Sequence, residues 1–174
     1  YRLMAEWATD LVCNKLNVSA TCTTADENLP GSKGNIEEVS KKIISLPTTQ
    51  RESVIYRHGS MAEKLAENTQ MENSLVCECE DVSVGEVEYA LKELNVQNLV
   101  DLRRRTRMGM GTCQGELCAC RAAGVMGGAK GFCSKRVKQD LTSFLNERWK
   151  GIYPVAWGDT LREGEYTSWV YESV

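Results

Sequence analysis

Nowhere in these 174 residues is there a stretch approaching the roughly 18 uninterrupted apolar residues of a membrane-spanning helix, so the chain is not expected to cross a bilayer by itself. A basic excess is missing too. Lys and Arg number 21 against 24 Asp and Glu, a net charge of −3. A nucleic-acid partner, which would show as a basic field, is therefore not expected. The opening residues Tyr1-Arg2-Leu3-Met4-Ala5-Glu6 have neither the positive start nor the apolar run of a secretory signal, and no initiator Met. They read as an excised piece whose N-terminus lies upstream. Internal repeats and low-complexity tracts are absent, and histidine occurs once, at His58. What remains is an ordinary balance of 42% hydrophobic and 26% charged residues, enough for one domain or two small ones.

Cysteine is abundant by contrast, with eight residues. A disulfide scaffold would suit a small secreted domain, and this chain is long and signal-free. The spacing is also uneven. Cys13, Cys22 and Cys133 are scattered, whereas Cys77/Cys79 and Cys113/Cys118/Cys120 are bunched, which favours a metal site over bridges.

Apolar periodicity predicts a mainly α chain. Met4, Ala8, Leu11 and Val12 mark an amphipathic helix ending near Asn17, followed by a loop over 25–35. Ile36, Val39, Ile43 and Ile44 lie on one side of a short helix that breaks before Pro47. Two further helices, Thr48–His58 and Ser60–Thr69, hinge at Gly59. Ser74–Glu80 reads as extended. Ser83-Val84-Gly85-Glu86 is a capping box opening a helix to about Leu94. A second helix with Leu99, Val100 and Leu102 is expected to stop at Gly109 and Gly111, and a third to run from Cys118 to Val125 and stop at Gly127-Gly128. Val137, Leu141, Phe144 and Leu145 mark a fourth. The tail holds Trp149, Tyr153, Trp157, Tyr166, Trp169 and Tyr171, read as core and interface because no basic groove accompanies them.

Cys77-x-Cys79, then 33 residues, then Cys113-x4-Cys118 carries the chemistry. A [2Fe–2S] rhomb takes four thiolates, two on each iron. In an extended strand residues two apart point the same way, which would let Cys77 and Cys79 face one cluster. Cys113 and Cys118 span a Gly115-containing turn at a helix start, where outward amides and the helix dipole favour thiolates and an anionic cluster. The hairpin Ser83–Thr106 would fold back to join the two pairs. Zinc is the rival, although structural zinc mostly takes Cys-x2–4-Cys knuckles; unliganded thiols are the third reading. Cys120, two positions beyond Cys118 on a helix, points about 160° away and reads as a small buried hydrophobe. Cys13, Cys22 and Cys133 are read likewise. His58 is read as structural or at the surface, and no catalytic residue is assigned.

Cys77-Glu78-Cys79-Glu80 through Cys113-Gln114-Gly115-Glu116-Leu117-Cys118 resembles the bacterioferritin-associated-ferredoxin-like (BFD-like) [2Fe–2S] domain. A wider set resembles the large subunit of bacterial anaerobic glycerol-3-phosphate dehydrogenases. It comprises Tyr1–Glu6, Tyr56-Arg57-His58-Gly59, Asp101–Arg107, Asn146–Gly151 and Ala156-Trp157-Gly158-Asp159. The resemblance implies short helices forming a cap, with a helical-hairpin BFD-like [2Fe–2S] domain. Residues 1–24 would be a terminal helix of a missing FAD domain, 25–73 linker and cap, 74–133 the cluster domain, and 134–174 C-terminal helices and aromatic tail. It implies cluster ligands Cys77, Cys79, Cys113 and Cys118, with FAD bound only by the full-length protein. It further implies oxidation of glycerol 3-phosphate to dihydroxyacetone phosphate, with electrons passing from flavin through the cluster toward quinone. Partners would be the upstream FAD domain, a membrane-associated iron–sulfur subunit and a second flavoprotein subunit. The location would be cytoplasmic, peripheral to the inner membrane through those subunits. Lacking flavin, the piece alone would show no turnover. The alternative is a non-redox interface module stapled by zinc or a cluster. Glu86–Tyr89 and Arg103–Arg107 are also similar to the cap of aerobic relatives without a cluster, so the arginines read as packing or docking residues.

Overall fold

The structure, a computed structural model, describes residues 1–66 and 74–173. It is mainly α, with one antiparallel two-stranded hairpin among the described residues. Helix α1 (Arg2–Leu16) ends where Asn17 turns left-handed at φ 53°. None of its residues is buried, and Met4, Trp7, Leu11 and Val12 lie open to solvent.

Asn35 starts α2 (Ile36–Lys42) by accepting the Glu37 amide, a side-chain cap that satisfies one orphan donor. Val39 and Ile43 are buried as the periodicity predicts, but Ile44 is exposed because the helix has already ended at Lys42. Helix α3 (Thr48–His58) has the expected bounds. The helix expected from Ser60 begins instead as a 3-10 turn, Gly59–Ala62, before α4 (Glu63–Ala66); its remaining residues, 67–69, lie outside the described residues. Val39, Ile43, Leu46, Val54, Ala62 and Leu65 form a small core closed by Tyr89.

Strands β1 (Leu75–Cys77) and β2 (Val82–Ser83) lead into the larger core. Ser83 caps α5 (Val84–Glu93), its hydroxyl accepting the Glu86 amide at 3.2 Å. The reciprocal half of the expected capping box is not made, because the Glu86 carboxylate turns inward to Arg57 and His58. Helix α5 serves both cores, sending Val87, Ala90 and Leu91 to one and Tyr89 to the other.

Helix α6 (Leu99–Thr106) stops one residue before Arg107, which adopts φ 64°, rather than at Gly109. Helix α7 (Ala119–Lys130) passes through Gly127-Gly128 and ends at Gly131. Gly127 sits where α7 crosses α8 (Ser134–Trp149), and a Cβ there would lie 2.7 Å from Val137. This glycine permits close helix packing instead of ending a helix. Leu99, Leu102, Met108, Met126, Leu141 and Phe144 fill the space between. Of the tail aromatics, Trp149 is buried and Tyr171 packs against the core. Trp157, Tyr166 and Trp169 are exposed around α9 (Asp159–Glu172), so the expectation of a core role fails for them. Among the described residues no helix is long and apolar enough to cross a membrane.

Candidate metal centre

The four cysteines singled out by spacing fall into two pairs. Helices α5 and α6, which lie between the two cysteine pairs in the chain, pack against each other. Cys79 Sγ lies 3.7 Å from Cys113 Sγ, and the buried Cys77 and Cys118 thiols interact with each other. Each pair joins one sulfur from the hairpin to one from the 113–118 loop.

The route differs from the one-strand expectation. Strand β1 ends at Cys77, which pairs with Val82, and the chain then reverses through a turn with Asp81 at φ 49°. Cys77 is buried and Cys79 is exposed, so they are not two same-facing positions of one strand. On the other side Gln114 (φ 50°) and Gly115 (φ 94°) shape a turn that ends with Cys118 as N-cap of α7. A Cβ on Gly115 would come 2.7 Å from the Phe144 ring, so both backbone and space require glycine there.

The electrostatics separate the thiols. The hydrogen bond from Cys118 draws Cys77 down to about 6, against its burial, with help from the amides of Gly109, Glu80 and Cys79. Cys118 moves the opposite way, through that same bond and its burial. Its sulfur also lies 3.3 Å from Met108 Sδ. Burial opposes ionisation of Cys113, but the Leu117 and Gly115 amides and the Cys79 side chain outweigh it and lower the thiol. Amides aimed at sulfur are what an anionic thiolate site requires. Among the described residues no three His, Cys, Asp or Glu side chains are grouped to hold a metal ion as they stand.

The supporting side chains were not legible from spacing. Arg121 on α7 grips Glu78 with two bonds of 2.6 and 2.7 Å. Arg107 holds Glu80 at 2.8 and 3.4 Å. Arg103 donates to Gln114, whose amide in turn donates to the Met110 and Gly111 carbonyls. Arg103 and Arg107 therefore reach the cysteine loops, whereas Arg104 and Arg105 are exposed. Deeper, Arg57 grips Glu86 at 2.6 Å through two nitrogens and donates to the carbonyls of Glu80 (2.9 Å) and Asp81 (3.3 Å). His58 Nε2 lies 2.8 Å from Glu86 Oε1 and packs edge-on to Tyr89, so the only histidine has a buried structural seat. A groove of about 400 Å³ opens beside Cys79, lined by Tyr56, Arg57, Glu80, Asp81 and Arg107.

The other cysteines stay outside this group. Cys120 is half-buried against the core and its thiol is raised by burial; Cys13 and Cys22 are half-buried. Cys133 is exposed, because it precedes α8 at the surface, contrary to the buried expectation.

Gly111 is the glycine packed most tightly against a cysteine of the site. A Cβ there would stand 2.2 Å from Cys79 Cβ. Gly111→Ala is expected to displace Cys79 and cut cluster incorporation at least about tenfold relative to the parent, since even 1 Å misplacements of site groups are costly. Iron and sulfide content after anaerobic reconstitution measures this, and undiminished loading would refute it.

Residues 75–126 match the BFD-like [2Fe-2S] binding domain family. Across all of its 174 residues the chain is 58% identical to the A subunit of the anaerobic glycerol-3-phosphate dehydrogenase of Haemophilus influenzae, covering 31% of that protein. The corresponding Escherichia coli K12 protein is 56% identical, with 32% covered. The A1 subunit of the Haloferax volcanii enzyme is 37% identical over 166 residues, 94% of this chain and 27% of that one. The chain thus spans about a third of the length of the curated relatives it matches. No solved structure matches it. The resemblance read from the sequence therefore holds from end to end: this chain is similar to the A subunit of anaerobic glycerol-3-phosphate dehydrogenases and carries a match to the BFD-like [2Fe–2S] domain within it.

Proposed function

We propose that Cys77, Cys79, Cys113 and Cys118 hold a [2Fe–2S] cluster, and that the chain is the electron-relaying C-terminal region of an FAD-dependent glycerol-3-phosphate dehydrogenase. The observation that carries this reading is the pairing of sulfurs from two distant segments, Cys79 with Cys113 at 3.7 Å and the buried Cys77 with the buried Cys118. Two pairs suit two irons with two thiolates each. A single zinc ion instead needs four donors around one point.

A [2Fe–2S] cluster supplies one-electron redox chemistry, which would let a two-electron flavin be drained stepwise. The chain's own residues do the rest. Gly109, Glu80 and Cys79 amides stabilise charge on Cys77, and those of Leu117 and Gly115 do so on Cys113. The N-terminus of α7 lies at Cys118 and adds its positive end. Buried Cys77 and Cys118 keep water from one side, while exposed Cys79 faces outward.

In this reading residues 1–24 belong to the FAD domain, 25–73 form linker and cap, 74–133 bear the cluster, and 134–174 brace it. Quinone is the eventual acceptor. The partners are a membrane-associated iron–sulfur subunit and a second flavoprotein subunit, which hold the protein peripherally at the cytoplasmic face of the inner membrane. The exposed apolar residues of α1 suit packing against the flavin domain. In this reading the flavin and the substrate-oxidising base belong to the FAD domain, so the region alone is expected to show no turnover.

Anaerobic purification, visible absorption and EPR after dithionite test this. The expected result is a coloured protein giving a rhombic spin-half signal on one-electron reduction. A colourless protein with one stoichiometric zinc would replace the relay with a non-redox staple.

A further inference from the structure

The hairpin alternates Cys77-Glu78-Cys79-Glu80, an unexpected place for two carboxylates if an anionic group sits there. Four thiolates around an oxidised [2Fe–2S] core, two ferric ions with two bridging sulfides, carry a net charge of about −2, and adding an electron beside two further anions is costly. Each carboxylate, however, meets a guanidinium from a different element. Glu78 takes two bonds from Arg121 of α7, and Glu80 takes two from Arg107 at the end of α6. Each acid is held by its arginine. Arg121 also reaches the Leu75 carbonyl at 3.5 Å and the Leu117 carbonyl at 3.2 Å. It thus touches both cysteine-bearing segments.

We propose that Arg121 and Arg107 are positioning residues that set the reduction potential of the cysteine-bound group, by cancelling the Glu78 and Glu80 charges that flank Cys79. This rests on the four-cysteine [2Fe–2S] reading. As structural fasteners these pairs count for little, since Arg121, Glu78 and Arg107 are 42%, 52% and 47% exposed and such pairs contribute weakly to stability. Their charges still act on an electron added a few bonds away. Removing an arginine leaves a bare carboxylate and disfavours reduction. Removing the carboxylate leaves a bare guanidinium and favours it. The two substitutions break the same contact and must move the potential in opposite directions, which loss of a fastener does not do.

The experiment is an EPR-monitored redox titration of the anaerobically purified full chain at low ionic strength. Arg121→Gln is expected to lower, and Glu78→Gln to raise, the one-electron reduction constant by about threefold to tenfold, about 28 to 59 mV at 59 mV per tenfold. Arg107→Gln and Glu80→Gln should repeat the two signs. Arg121→Lys keeps the charge but loses the fork, and should stay close to the parent. If Arg121→Gln loses its cluster, Glu78→Gln and Arg121→Lys decide alone. Shifts of the same sign for both members of a pair, or none for either, overturn the proposal while leaving the cluster assignment standing. A parent chain with no EPR signal overturns the cluster assignment itself, and its absorption spectrum shows this before any variant is made.

Discussion

Cys113→Ser and Cys118→Ser should each abolish cluster incorporation, whereas Cys120→Ser should load as well as the parent. Cys113 stands 3.7 Å from Cys79, and Cys118 is wholly buried against Cys77. A serine oxygen is a harder and far less acidic donor than the thiolate that a [2Fe–2S] cluster takes. Cys120 follows on α7 and turns about 160° away from Cys118, where its half-buried sulfur packs against the core. Absorbance, iron and acid-labile sulfide after reconstitution give the readout. A Cys120→Ser protein that fails to load, beside a Cys113→Ser protein that succeeds, would mean that the ligand set has been drawn wrongly.

A second large effect is expected far from the sulfurs. Glu86→Ala should destabilise the chain by about 3–5 kcal/mol, the usual cost of stranding buried charge. Glu86 is fully buried, Arg57 is 4% and His58 6% exposed, and the carboxylate accepts from both. Its loss leaves a guanidinium without its counter-charge between two helices. With a urea slope of about 1–3 kcal/mol per molar, the unfolding midpoint should fall by about 1 M or more. Replacing all three members together, as Arg57→Met, His58→Phe and Glu86→Leu, should cost much less, because apolar groups of similar volume need no counter-charge. A single Glu86→Ala change that leaves the midpoint in place would show that the triad is solvated in solution.

Much of this was legible in the sequence, and the legible part was local. Met4, Ala8 and Leu11 announced α1, Pro47 and His58 bounded α3 to the residue, and Ser83 marked the start of α5. The two cysteine pairs declared themselves by spacing. Local patterns misled where a distant contact competed. Glu86 has the position of a capping-box acid, yet Arg57, 29 residues away, offers a stronger partner than the Ser83 amide. Gly127 looks like a stop signal, yet it is the point of closest approach of Val137. Arg107 shows no sign in the sequence of taking a left-handed conformation, but its guanidinium is held by Glu80 across the site. Periodicity sees which face is apolar. It does not see which charge, tens of residues away, will be brought against it.

The bracing of the cysteine loops has a consequence for where this unit may be cut. Arg57 lies upstream of the 75–126 span, and Phe144, on whose ring Gly109 and Gly115 rest, lies downstream of it. Excising 75–126 alone would retain every sulfur while discarding the guanidinium that tethers the Glu80 and Asp81 carbonyls and the aromatic floor beneath the second loop. The inheritable module and the mechanical one thus have different borders. Grafting the shorter piece onto another flavoprotein would call for a new cation and a new ring at those two places.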